Sequence, residues 1–268
     1  MPIRYEKDGQ VAVFTIENGS VNPTTPTMHK ELHAALTDFL RDPAMRCGIL
    51  TGSGDRAFSA GDDIKSPRRD ATVREQLGDH LWPHSTEGEA PHDFSWSRDV
   101  ISMERYKPII GAVNGWCVGM GLIYLLNLTD IRLAATTARF GFPEIAYGMG
   151  GAGGSTRLLR QIPQTAAMWM LLTGEPFSAE EAARAFLVNR VVEPGQLMAE
   201  ARAVAEKICR HPPEAVRVEM EVAYRAQDLA RADAIAFTKH LYRLQRMGLA
   251  GGGDALEGGF MYRRDAAQ

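Results

Sequence analysis

Ala57-Phe58-Ser59-Ala60-Gly61-Asp62-Asp63-Ile64-Lys65 follows a short apolar strand, Cys47-Gly-Ile-Leu-Thr-Gly52. Its small residues leave the backbone amides with little side-chain cover, and a loop of that kind aims a free N–H at an anionic oxygen. Asn114-Gly-Trp-Cys-Val-Gly-Met-Gly-Leu122 repeats the idea. It follows the strand Ile109-Ile-Gly-Ala-Val113 and opens an apolar helix expected over 120–128. Two such strand-to-loop amides facing one site make an oxyanion hole, which stabilises charge as it develops in a transition state.

Outward from these two loops the pattern alternates. Ile3–Lys7 and Val11–Ile16 flank Asp8-Gly9 and read as a hairpin. Met28, Leu32, Ala35, Leu36, Phe39 and Leu40 form one helical stripe within Pro26–Leu40. Strands are expected at 47–51, 108–113, 130–135 and 190–193, and a helix at Ser97–Tyr106. Strands alternating with helices predict a mixed α/β core with a partly parallel sheet. Gly148–Gly154 is a glycine loop feeding a helix from Ser155. It lacks the Gly-Lys-Ser/Thr ending of a phosphate loop and reads as close packing. From Pro163 onward the chain is helix after helix: 163–173, 178–186, 195–210, 212–226 and 229–248. Residues 66–95, with three prolines and His80, His84 and His92, are long for an inert connection and suit a substrate-facing lid or a mobile segment.

Bulk properties narrow the classes. The chain has 268 residues, 45% hydrophobic and 24% charged, enough for one sizeable globular domain or a domain with a helical appendage. A net charge of −3 offers no basic field, so no nucleic-acid partner is expected. Apolar runs are too short to span a bilayer, so no membrane partner is expected, and no leader is expected at Met1-Pro-Ile-Arg-Tyr5. Cys47, Cys117 and Cys209 are odd in number and sit in apolar or helical contexts, which points to reduced thiols and a cytoplasmic setting. No Cys or His pair has ligand spacing, so no metal site is expected.

The segments 57–65, 111–121, 139–158 and Leu172–Val192 together resemble the crotonase superfamily, the enoyl-CoA hydratases and isomerases. The resemblance covers about residues 1–266. It implies a crotonase-like spiral of β-β-α units over 1–195, carrying the active site. It also implies a helical C-terminal trimerisation region over 196–268, assembled as a homotrimer or a dimer of trimers. The substrate it implies is an acyl-CoA thioester, with coenzyme A as part of the substrate and no bound cofactor. The N–H groups of Asp62 and Met120, the latter within Gly119-Met120-Gly121, become the oxyanion donors. The backbone around Ser59 and Ala60 faces the adenine and pantetheine, and Lys65 lies near the CoA phosphates. Phe260 and Arg264, in the closing aromatic-plus-basic segment, reach the CoA of an adjacent subunit.

The acid/base residues divide. Phe140-Gly141-Phe142-Pro143-Glu144 matches the family's Phe-Gly-x-Pro-Glu pattern, so Glu144 is the implied acid/base. The other family glutamate, three residues beyond the second amide donor, is Ile123 here, and isoleucine transfers no proton. Moving a double bond needs one base that takes a proton and returns it nearby, so isomerisation is the mechanism these residues support best. The stretch Glu144–Leu158 looks more like the hydratase branch. Hydration or dehydration stays open if Tyr124, or a His or Asp of 66–95, replaces the missing glutamate. Another enolate reaction (C–C hydrolysis or decarboxylation) and a non-catalytic CoA-binding homologue stay open as well.

Overall fold

The alternating segments around Asp8-Gly9 pair as an antiparallel hairpin of β1 (Ile3–Asp8) and β2 (Val11–Ile16). The computed structural model describes residues 2–65, 72–74, 77, 95–151 and 155–251. β2 is followed in the sheet by β3 (Cys47–Gly52), β5 (Ile109–Val113), β7 (Ile131–Ala135) and β10 (Arg190–Val192), all parallel. Every residue of β2, β3 and β5 is buried, which is why these segments read as continuous apolar runs.

After β3, β5 and β7 the chain turns a corner into a short strand of a second sheet. These strands are β4 (Ala57–Ser59), β6 (Trp116–Val118) and β8 (Arg139–Gly141), mutually parallel, with β9 (Phe177–Ser178) antiparallel at the edge. The result is the spiral of β-β-α units that the resemblance implied. Two asparagines hold the corners. Asn114 Nδ2 lies 3.0 Å from the Gly52 carbonyl oxygen, 2.7 Å from that of Gly54 and 3.2 Å from that of Ala57. Asn22 Nδ2 donates to the Ser53 and Ala57 carbonyls at 2.9 and 2.8 Å. Each satisfies carbonyls at the turn between the two sheets.

The stripe in Pro26–Leu40 forms α1 (Pro26–Arg41), capped by Thr25 and started by Pro26 at its first position. Its buried face, Met28, Leu32, Leu36 and Phe39, joins Phe14, Phe58, Leu122, Leu125 and Phe140 in one core between the sheets and helices. Phe14 and Phe39 meet edge to face at 5.5 Å. The opposite face of the large sheet, with Val11, Val13, Ile49 and Ile110, is covered by α7 (Leu197–Cys209) through Leu197, Ala201 and Ala205. Cys47 and Cys117 are free thiols in these cores, and burial pushes both up in pKa.

Some elements differ from expectation. The four short strands of the second sheet were not expected as strands, and Ser178 of β9 was expected in a helix over 178–186, since two or three residues carry no measurable periodicity. The helix expected at Ser97–Tyr106 is α2 (Ser95–Ser102). It stops short because Arg105 is drawn onto Asp130, with Nη1 to Oδ2 at 2.7 Å and Nη2 to Oδ1 at 3.0 Å. The helix from Ser155 is a single turn, α4 (Ser155–Leu158). The chain divides into two compact units, Met1–Cys209 and Arg210–Gln268, so α7 belongs with the sheet rather than with the later helices. Within the second unit α8 (Pro213–Arg225) and α9 (Arg231–Gly251) pack on one another. No described helix is long and apolar enough to cross a membrane.

Candidate active site

The two amide loops of the sequence reading meet across the second sheet. β4 and β6 are parallel neighbours, so the chain leaves both strands at the same end of the sheet. Gly61 follows β4 and Gly119 follows β6, with φ of 90° and 54°. Such values favour glycine, and the surroundings leave little room for a larger residue. A Cβ placed on Gly61 would stand 3.2 Å from the Met120 nitrogen, and one placed on Gly119 would stand 3.7 Å from the Gly61 Cα. The loops therefore touch backbone to backbone.

Neither amide at the centre of this contact is used by the fold. In the bridge between Thr24 and Asp62, Thr24 N–H donates to the Gly61 carbonyl and Asp63 N–H donates to Thr24, both at 2.8 Å. That register turns the Asp62 N–H away from Thr24. Met120 is the first residue of α3 (Met120–Leu128), where an N–H has no partner within the helix. Among the described residues neither N–H donates a hydrogen bond. Ser59 is buried, and its Oγ accepts from Gly61 N–H at 3.2 Å, which holds the first loop. Gly121 permits α3 to lie on β4: its Cβ would stand 2.7 Å from the Ser59 carbonyl oxygen.

Glu144 enters from the third corner. After β8, Pro143 starts a single 3-10 turn, Pro143–Tyr147, with Glu144 in its first turn. The carboxylate reaches the amide loops: Oε1 would lie 2.9 Å from a Cβ on Gly119. Oε2 is buried and has no hydrogen-bond partner among the described residues. Burial raises the carboxyl above its ordinary pKa; the peptide N–H of Glu144 pulls it back, and the Asp62 charge adds to the rise. A carboxyl so placed gives and takes protons closer to neutral pH than a solvated one.

Other expected site residues lie further out or inward. Ile123 is 2% exposed and packs in the core beneath the site, so it offers only an apolar floor. Ala60 and Lys65 are exposed; Ala60 N–H donates to the Val21 carbonyl at 2.9 Å and Lys65 N–H to Asp63 Oδ1 at 2.9 Å. Phe260, Arg264 and most of 66–95 lie outside the described residues. Among the described residues no three His, Cys, Asp or Glu side chains group as metal ligands would.

The structure adds two polar residues that sequence reasoning did not place here, Thr24 and His29, and joins them to Tyr124, which it had named as a possible replacement for the missing glutamate. Asp62 Oδ1 lies 3.0 Å from Thr24 Oγ1 and 3.2 Å from Nε2 of His29, and the other His29 nitrogen, Nδ1, lies 2.5 Å from the Tyr124 hydroxyl. The available signal was the position of His29, which shares the inward face of α1 with Leu32 and Leu36 three and seven residues on.

The sequence profile of the family described as "Enoyl-CoA hydratase/isomerase" matches residues 6–246. The chain is 34% identical over 252 residues to the (E)-benzylidenesuccinyl-CoA hydratase of Thauera aromatica, covering 92% of this chain and 91% of that one. It is 32% identical over 243 residues to the short-chain-enoyl-CoA hydratase of Clostridium acetobutylicum, covering 88% and 86%. The crystal structure of an enoyl-CoA hydratase from Bacillus anthracis superposes with a TM-score of 0.81 at 30% identity, covering 96% and 94%.

Proposed function

Because the chain belongs to the enoyl-CoA hydratase/isomerase family, we propose that it acts on an acyl-CoA thioester through an enolate, with Glu144 moving the proton at the carbon next to the carbonyl. The observation that carries this reading is the buried Oε2 of Glu144, without a partner among the described residues, beside two backbone amides that those residues leave unused. An unpaired buried carboxylate oxygen is costly, which is the signature of a group held for chemistry rather than for stability.

The steps follow from the placement. The thioester oxygen lies between the Asp62 and Met120 N–H groups, where the positive end of α3 adds to both donors. Glu144 takes the α-proton and the electron pair moves onto the thioester, so that negative charge gathers on the oxygen held by the amides. Returning the proton to Cα, or to the carbon two further along an unsaturated chain, completes an exchange or an isomerisation. Ser59 and Gly121 position the first loop, and exposed Lys65 is the cation this reading assigns to a CoA phosphate. The assembly that goes with this reading is a homotrimer or a dimer of trimers, a role for side chains such as Trp169 and Leu172, which are 57% and 64% exposed.

Spectrophotometric assays on crotonyl-CoA and 3-hexenoyl-CoA test this, with Glu144→Ala beside wild type. The expected result is turnover of at least one thioester and a loss of about 10²–10⁴-fold in the variant. Wild type inert toward both, or a variant as fast as wild type, contradicts it.

A further inference from the structure

Asp62 does more than present an N–H. Its Oδ1 is gripped from behind by Thr24 Oγ1 and His29 Nε2, and His29 is itself gripped by Tyr124. The three partners come from separate elements: Thr24 precedes α1, His29 lies within it, and Tyr124 lies on α3 one residue beyond Ile123. All three are buried, at 2%, 5% and 1% exposure. With the ring hydrogen on Nε2, the imidazole donates toward the carboxylate and Nδ1 accepts from the Tyr124 hydroxyl. The contacts run in sequence from Tyr124 through His29 to Asp62. Their far end is open: the Asp62 side chain is 48% exposed, and Oδ2 has no partner among the described residues. A buried Tyr-His pair that serves one half-exposed carboxylate resembles the orienting arrangement of proton-transfer sites more than packing glue.

We propose that the Asp62 carboxylate is the second proton-transfer group of this site, positioned by His29 and Tyr124, and that the reaction it completes is hydration of a 2-enoyl-CoA thioester or the reverse dehydration. This rests on the enolate reading with Glu144. Asp62 Oδ2 takes a proton from water as the water oxygen bonds to Cβ. The π pair of the Cα–Cβ double bond shifts toward the thioester, whose oxygen takes the charge at the Asp62 and Met120 amides. Glu144, protonated beforehand, gives its proton to Cα, so water and the enoyl thioester become a 3-hydroxyacyl thioester. Asp62 then releases its proton to solvent, to which it is open, and Glu144 regains one. The isoleucine at 123 removes one acid/base group from α3, and the first loop supplies another.

Asp62→Asn keeps the backbone N–H and the shape of the side chain but cannot take a proton. Two rates are measured on each protein: hydration of crotonyl-CoA and of cinnamoyl-CoA, and wash-in of deuterium at Cα of butyryl-CoA in D2O, which needs only Glu144 and the amides. The proposal predicts that the ratio of hydration to exchange falls at least ~100-fold in Asp62→Asn, with KM for the enoyl thioester within about threefold. His29→Leu, which removes the group that orients Asp62, lowers the same ratio, and His29→Gln, which keeps an N–H donor, restores part of it. Hydration and exchange falling by one common factor in Asp62→Asn and His29→Leu would mean a structural role and overturn the proposal. Wild type that exchanges the α-proton but hydrates neither enoyl thioester overturns it too. Exchange that survives Glu144→Gln instead sinks the underlying enolate reading, and it does so independently of the Asp62 ratio.

Discussion

Replacing Gly119 by alanine probes the meeting point of the two loops. Gly119 has φ 54° and ψ −127°, a combination that other residues adopt only under strain, and holding alanine there costs about 1–3 kcal/mol. The added methyl would stand 2.9 Å from Glu144 Oε1, and ordinary contact begins at 3.4 Å. The carboxylate is the free end of its side chain, so it yields by about half an ångström rather than unfolding the turn. A displacement of 1 Å at a reacting group costs roughly 100-fold, so half of it costs about tenfold. Gly9 is the matched control. It too has positive φ, 58°, but lies in the β1–β2 turn with open space around it. Gly9→Ala should lose about 1–2 kcal/mol in urea unfolding and keep its turnover. Gly119→Ala should lose a similar stability and about tenfold or more in turnover of a CoA thioester. Wild-type turnover in Gly119→Ala, or an equal loss in Gly9→Ala, refutes the placement of Glu144 against the second loop.

Two further predictions concern charge. Burial raises the Glu144 carboxyl, so between the ordinary glutamate value and the raised one the native state holds a proton that the unfolded chain has released; stability contributed by that proton is lost as pH rises through the window. Glu144→Gln should therefore unfold at higher urea than wild type above the window, with the gap closing as pH approaches about 4; a gap that does not change with pH counts against burial as the cause. Asp130 accepts from the buried Arg105 guanidinium and from Ile109 N–H at 2.8 Å, joining the approach to β5 to the start of β7. Asp130→Ala should cost about 3–5 kcal/mol, and a loss under about 1 kcal/mol would show that Arg105 finds a replacement.

The large sheet, α1, α3 and the later helices were legible because each spans enough residues to show a period. The second sheet was not, because its strands are two or three residues long and exist through the corners that Asn22 and Asn114 tie. The amide loops were legible from Gly61 and Gly119, whose conformations demand glycine. Glu144 was legible from a local pattern, Phe-Gly-Phe-Pro-Glu, that also sets its direction. The Tyr124–His29–Asp62 chain could not be read in advance. Its members are 33 and 95 residues from His29 in sequence, and only the packing of α1 against α3 and the first loop brings them together. A histidine on a helix's inward face carries no sign of which residue it will meet.

The central claim is that Glu144 and the two amides form a thioester enolate. Proton NMR of butyryl-CoA in D2O measures that step without needing the natural acyl group. The account predicts deuterium entering at Cα with wild type, slowed about 10²–10⁴-fold in Glu144→Gln while the affinity for butyryl-CoA stays unchanged. No exchange with wild type, or undiminished exchange in Glu144→Gln, would contradict it.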